Sequence, residues 1–402
     1  MKVSLEDIQK ARESINDVIF STKLIQSKKI STLSGNQVFL KCENLQKTGS
    51  FKIRGAYNKI TNLTEEQKSK GVIASSAGNH AQGVALGATA YGIDSTIVMP
   101  VGAPVAKVIA TQDFGAKVVL HGNVYDEAYE KALEIQRESG ATFLHPFNDP
   151  YVIAGQGTIA LEIFDELKDV DAIVVPIGGG GLISGIAIAA KALNPKVKII
   201  GVEPENASSM KNSIKEGEIQ TLSTANTIAD GIAVKTPGDL TYSIIKDNVD
   251  EIVVVSEDEL ANALLILMEN EKLVAEGAGA ASVAAVMSNK IDMENKNIVA
   301  LISGGNIDMN MVINIIDNCL LKNGRMAEIV VSIPDKPGNL QSLLELVAKT
   351  KANIYSIFQT RLKPYVSIGF QEVSIVLETK NHKHIKEIQD ILRKNGYIIL
   401  ED

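Results

Sequence analysis

The chain has no tryptophan, only two cysteines, and aromatic residues make up only 4% of its 402 residues. Cys42 and Cys319 lie far apart, which excludes a disulfide-stapled scaffold, offers no Cys/His metal spacing and fits a reducing compartment. Dense blocks of Lys or Arg are also missing, and the net charge is −8, which argues against nucleic acid or an anionic membrane as the main partner. Long apolar runs are absent too: the stretch 182–190 is too short to span a bilayer and is interrupted by Gly and Ser. The opening segment, MKVSLEDIQKARESINDVIF, alternates charges and lacks the apolar core of a signal peptide, so a cytoplasmic location is expected. What the chain does have is 45% apolar residues, enough for a large core spread over two or three domains.

Up to about residue 320 one pattern recurs. Val/Ile-rich runs at 71–74, 95–99, 117–120, 172–175, 198–202 and 298–302 alternate with turns and helical stretches. Such runs predict parallel strands buried on both faces, with ligands beyond their carboxyl ends. Three turns occupy that location, at 75–80, 178–181 and 303–306. From about residue 326 the style changes to strand, Pro/Gly turn and amphipathic helix, with Leu340, Leu343, Leu344 and Val347 on one face. Strands near 353–360 and 371–378, a helix with Ile385, Ile388 and Leu392 inward, and a closing strand at 397–400 complete a βαββαβ, ferredoxin-like order. The expected domains are therefore 1–322, with a smaller subdomain at about 45–145 inserted in a larger one, and 326–402.

Four short segments carry chemistry. Lys52, in Lys47-Thr48-Gly49-Ser50-Phe51-Lys52-Ile53-Arg54-Gly55-Ala56, is bracketed by glycines at the start of a helix, a setting able to hold an amine against a flat ring. A lysine in a turn is otherwise simply solvated. Gly178, Gly179, Gly180 and Gly181, followed by Leu182, join a strand to a helix, where backbone N–H groups and the positive helix end suit a phosphate. They lack the Gly-Lys-Ser/Thr ending of a nucleoside-triphosphate loop and the spaced glycines of dinucleotide binding, so the phosphate belongs to something smaller. Ser75, Ser76, Ala77, Gly78, Asn79 and His80 form a second strand-to-helix turn, suited to a carboxylate or to plain helix capping. Ser303-Gly304-Gly305-Asn306 follows a buried strand, and its serine either donates to a ring nitrogen or caps a helix.

Together the phrases KTGSFKIRGA, SSAGNHAQG, PIGGGGL and SGGN resemble, in content and order, the fold type II pyridoxal-phosphate enzymes, and within them the threonine/serine dehydratases. The resemblance covers roughly residues 5–320. It implies pyridoxal 5′-phosphate bound covalently through Lys52, Phe51 along its ring, and Asn79 on its phenolic oxygen. It further implies the phosphate on Gly178–Leu182, Ser303 at the pyridine nitrogen and the substrate carboxylate on residues 75–80. The implied reaction is loss of water and then ammonia from L-threonine, and from L-serine. Family members that racemise serine use an extra serine on the opposite ring face; the matching position here is Ala77, which favours elimination. Alternatives are another elimination, replacement or racemase enzyme of the same fold, or a non-catalytic amino-acid sensor.

Two further sites follow from resemblance. Glu203, the Ala207 carbonyl and Ser209 match the family's cation loop, suited to K⁺ or a divalent ion, though Glu203 also fits a strand-end surface acid. Glu276 would orient the site or merely begin a helix. The C-terminal unit resembles an ACT domain, with Asp335, Gly338, Asn339 and Leu340 at its effector turn. It implies an amino-acid effector and a homo-oligomer, dimer or tetramer.

Overall fold

The computed structural model describes residues 3–400. Its contacts divide the chain between Met309 and Asn310. The first unit holds two sheets built from β1 (Leu24–Gln26), β2 (Gln37–Cys42), β3 (Val72–Ser75), β4 (Ser95–Met99), β5 (Lys117–Leu120), β6 (Thr142–Phe143), β7 (Ala172–Pro176), β8 (Lys198–Pro204), β9 (Glu251–Val255) and β10 (Asn297–Ile302). The larger sheet runs β1-β2-β10-β7-β8-β9, parallel except for β1, and the smaller runs β5-β4-β3-β6, fully parallel. The α/β class with parallel-rich sheets is as the Val/Ile runs predicted.

The strands without a clear sequence signal have identifiable reasons. In β2, Lys41 interrupts the apolar run, yet it is fully buried, donating to the Thr22 carbonyl and pairing with Glu162 at 2.6 Å. It belongs to a buried ion cluster in which Arg54 pairs with Glu43 at 2.7 Å and with Glu162 at 2.6 Å. Two cations face two anions there, so the cluster is balanced; removing one member would leave a buried charge uncompensated. β9 is Val-rich, but it leads into a serine-capped helix with no glycine turn between.

Three helices fix the frame of the site: Lys52–Thr61, Pro150–Glu166 and Gly181–Leu193. They lie almost backbone to backbone. A Cβ on Gly155 would stand 2.5 Å from the Arg54 carbonyl, and one on Gly185 would enter the Ile153 carbonyl and come within 2.6 Å of Gly157 N. The middle helix starts with Pro150 and is capped by Asp149, whose carboxylate accepts from Tyr151 N at 2.8 Å. On its other side the first helix passes close to Gly83, in the helix Asn79–Ala90 of the smaller lobe. Ile159, Ile173, Val175, Ile183 and Ile186 fill the core between the larger sheet and its helices.

In the second unit, β11 (Met326–Pro334), β12 (Asn353–Thr360), β13 (Phe370–Glu378) and β14 (Ile398–Leu400) form an antiparallel sheet ordered β12-β13-β11-β14. With helices Asn339–Lys349 and His382–Lys394 this is the ferredoxin-like arrangement. Val331, Ile333, Val373, Ile375 and Leu377 pack against Leu343, Val347, Ile388 and Leu392. The helix Met309–Lys322, expected within 1–322, falls almost wholly in this unit. The residues between that helix and β11 are bonded to the second unit: Thr379 N donates to the Arg325 carbonyl at 2.8 Å, and the His382 ring meets the Lys322 carbonyl at 3.0 Å. Among the described residues no helix is long and apolar enough to cross a membrane.

Candidate active site

Lys52 opens its helix directly after a loop that is zipped to the end of β10. Ser50 bridges Gly304, Phe51 N donates to the Ser303 carbonyl at 3.1 Å, and Gly305 N donates to the Gly49 carbonyl at 2.9 Å. The Lys52 amine donates to the Pro146 carbonyl at 3.0 Å and lies 5.2 Å from the centroid of the Phe51 ring, which is buried in the core. Burial pushes the Lys52 ammonium down to about 8, with Glu276 partly opposing the shift. A value of about 8 leaves a minority of this amine neutral near physiological pH, far more than an exposed lysine has, and that form is the nucleophile.

Asn79 begins the helix after β3, and its amide is held at both ends. Its Nδ2 donates to Glu276 Oε1 at 2.6 Å, and its Oδ1 accepts from Asn306 Nδ2 at 2.7 Å. One Nδ2–H remains for a ring oxygen. Glu276 precedes the helix Gly277–Met287 without capping it. Burial first, and Asp230 second, push its carboxyl up to about 7, against the Asn79 bond and the Lys107 and Lys52 charges. In the 75–80 loop, Ser75 Oγ is buried without a partner, and Gly78 N donates to Ser76 Oγ at 3.2 Å. Among the described residues no acceptor meets the N–H groups of Ala77, Asn79 or His80, a ready cradle for a carboxylate. The His80 ring turns away to the Leu144 carbonyl at 2.9 Å, and burial, then Lys52, push it down to about 3, so it stays neutral.

The glycine run lies between β7 and the helix Gly181–Leu193, with Gly180 at φ +91°. Among the described residues no acceptor meets the N–H groups of Gly178, Gly179, Gly180, Gly181 or Leu182. Unclaimed donors at a helix start suit a phosphate. Side chains are excluded from this loop: a Cβ on Gly179 would enter the Phe147 ring, and one on Gly178 would stand 3.0 Å from Ile232 Cα. The Gly179 carbonyl accepts from Thr241 Oγ1 at 2.6 Å, and Leu182 packs in the core. A buried amine, a spare amide N–H and a row of unclaimed N–H groups together fit a phosphorylated aldehyde.

Several of these groups carried no strong signal. The link 144–149, between β6 and the helix Pro150–Glu166, supplies the Leu144 and Pro146 carbonyls and the Phe147 ring, yet it has neither glycines nor a catalytic residue pattern. The turn Asp230–Ile232 supplies another wall beside Glu276 and Gly178. Asn306 was visible only as the last letter of SGGN.

The remaining expected sites lie elsewhere. Glu203 is fully buried, and its two oxygens accept from Met210 N at 2.9 Å and Lys211 N at 2.8 Å, at the start of the helix Ser209–Glu216. Burial raises it to about 7 despite those bonds. Ala207 is buried, Ser209 Oγ donates to the Val234 carbonyl at 2.8 Å, and the described residues gather no group of three or more His, Cys, Asp or Glu. In the second unit, Asp335 is gripped in a two-bond fork by Arg361, at 2.5 and 2.7 Å. Gly338 takes φ +92°, Asn339 Nδ2 donates to the Pro334 carbonyl at 3.1 Å, and Leu340 is partly buried against the core.

The chain is 53% identical over 395 residues to the L-threonine ammonia-lyase of Thermotoga maritima, covering 98% of each chain. Its fold is similar to the processed threonine deaminase isoform 2 of Solanum lycopersicum, with 40% identity, a TM-score of 0.74 and coverage of 78% of this chain and 91% of that one. Maize serine racemase is also similar, with 38% identity, a TM-score of 0.76 and coverage of 80% and 98%. The model of the family described as pyridoxal-phosphate dependent enzymes matches residues 15–304, the span that holds Lys52, Asn79, the glycine run and Ser303. The chain belongs to the pyridoxal-phosphate dependent enzyme family.

Proposed function

We propose that the chain deaminates L-threonine to 2-oxobutanoate and ammonia through loss of water from the β-carbon, and L-serine to pyruvate in the same way. The observation that carries the reading is Lys52: a buried amine brought to about 8 and bonded to the Pro146 carbonyl, next to the Phe147 ring that packs on Gly179 in a row of five unclaimed N–H groups, and coupled to Glu276, which holds the Asn79 amide. Identity of 53% across nearly the whole of a threonine ammonia-lyase supports the substrate class. Bound pyridoxal phosphate supplies an electron sink for bonds at the α-carbon of an amino acid. The chain's residues do the rest. Lys52 would hold the cofactor covalently, and once the substrate amine takes its place the freed Lys52 amine would take the α-proton. Residues 178–182 would hold the phosphate, Phe51 would lie along the ring, and Ser303 would meet the ring nitrogen. Ser75, Ser76, Ala77, Gly78, Asn79 and His80 seat the substrate carboxylate. At Ala77 the chain lacks the hydroxyl of a racemising site, so elimination is favoured.

In the same reading the catalytic residues lie within 1–322, and 326–402 is an ACT domain. Its Asp335, Gly338, Asn339 and Leu340 bind an amino-acid effector, and the enzyme works in the cytoplasm as a homo-oligomer. A cation, K⁺ or divalent, is assigned to Glu203, Ala207 and Ser209. The decisive experiment is 2-oxo acid release from L-threonine and L-serine by wild type and Lys52→Ala, with the cofactor absorbance recorded and the borohydride-reduced peptide mapped. Wild type should turn over threonine, carry the label on Lys52 and lose both in Lys52→Ala. A colourless wild type, or turnover retained by Lys52→Ala, would overturn the reading.

A further inference from the structure

Outside the chemistry assigned above, one ion pair joins the two lobes close enough to the site for both its charges to act on Glu276. Lys107 lies on the helix Val105–Asp113 of the smaller lobe, and its ammonium meets the Asp230 carboxylate of the larger lobe at 2.7 Å, across 123 positions of chain. Lys107 is 17% exposed and Asp230 59%, which places the pair at the rim. Asp230 starts a three-residue turn, closed by Ile232 N donating to the Ala229 carbonyl at 2.9 Å. Both following residues face groups of the site: a Cβ on Gly231 would stand 3.3 Å from Glu276 Oε1, and Ile232 Cα lies 3.0 Å from where a Cβ on Gly178 would be. Whatever grips Asp230 therefore grips a wall shared by the phosphate loop and Glu276. Among the further polar links between the lobes, those from Asn79 to Glu276 and to Asn306 lie inside the site.

We propose that Lys107 and Asp230 are positioning residues, a latch that holds the turn 230–232 against the smaller lobe while the amino-acid substrate is bound. Neither touches the reacting atoms. Their closure lowers the rate at which substrate escapes, so the latch sets KM more than kcat. An ion pair this exposed is screened by salt, so its contribution fades with ionic strength.

The inference rests on the lyase reading, and the test separates the two. At pH 9, where Glu276 with its value of about 7 is ionised whichever charge is removed, Lys107→Gln and Asp230→Asn should each raise KM for threonine about three- to fivefold, the range of a half-exposed pair, with kcat and cofactor absorbance unchanged. Wild-type KM should climb as salt shortens the screening length from about 10 Å to about 3 Å, and both variants should lose that dependence. Exchanging the charges, Lys107→Asp with Asp230→Lys, should restore KM. Single variants with the wild-type KM and salt dependence would overturn the latch, and so would an exchanged pair no better than the singles. If wild type releases no 2-oxo acid, the lyase reading fails while the latch stays testable. Amide hydrogen exchange at 230–232 should then be faster in each single variant and return to the wild-type rate in the exchanged pair; unchanged exchange overturns it.

Discussion

Lys52 and Glu276 each carry part of the other's charge balance. The amine is pushed down to about 8 and the carboxyl up to about 7, both chiefly by burial, and each charge opposes the other's shift. Glu276→Gln keeps an oxygen for the Asn79 amide and removes the titration. Between its unfolded value of 4.5 and about 7 the folded carboxyl holds a proton that the unfolded one has lost, so this group lowers stability as pH rises through that window. Glu276→Gln should therefore melt above wild type at pH 8, with the gap closing as pH falls to 4.5, in paired thermal scans. An ascending or descending limb near 7 in the wild-type kcat/KM profile should vanish in the same variant. The two residues were not equally legible. Lys52 stood out because its segment occurs with three other phrases in a family's order, whereas Glu276 looked like any acid before a helix. Its role depends on Asn79, 197 positions away, and no local pattern reveals a bond of that separation.

At the level of elements, the Val/Ile runs of β3, β4, β7, β8 and β10 announced themselves because parallel strands covered on both faces need apolar side chains throughout, whereas β5, read the same way, is an edge strand with Lys117 and Leu120 exposed. β2 did not, because Lys41 is neutralised by Glu162 from a distant helix. Glycines inside helices were equally silent. Gly155 and Gly185 belong to no motif, but they are where three helices touch, and that contact ties the Lys52 helix to the helix after the glycine run. Gly185→Ala forces a methyl into the Ile153 carbonyl, so the helices must separate. The expected loss is about 1–3 kcal/mol by denaturant titration, with weaker retention of pyridoxal phosphate on dialysis. Gly102→Ala is the control: it meets nothing within 4 Å, and it should alter neither quantity.

The whole molecule joins a lyase fold to a ferredoxin-like unit whose alternating strands and one-sided helices were plain in the sequence. What the sequence did not disclose is the partner of Asp335. Asp335 matched a family phrase, but Arg361, which grips it through two bonds, lies 26 positions on and beyond β12. The fork pins the turn after β11 to the segment leading toward β13, where Asp335 N also donates to the Gly369 carbonyl at 2.9 Å. If this turn receives an amino-acid effector, its geometry depends on that fork, since a planar guanidinium and a carboxylate fix direction as well as distance. Isoleucine and valine are the natural ligands to try on the full chain. Arg361→Ala and Asn339→Ala should leave basal threonine turnover unchanged while raising the effector concentration for half-maximal response about tenfold or abolishing the response. Turnover measured across an effector series, alongside the sedimentation behaviour of the same samples, checks this. Wild type that shows no change in rate or assembly with either amino acid would leave the C-terminal unit as a passive module.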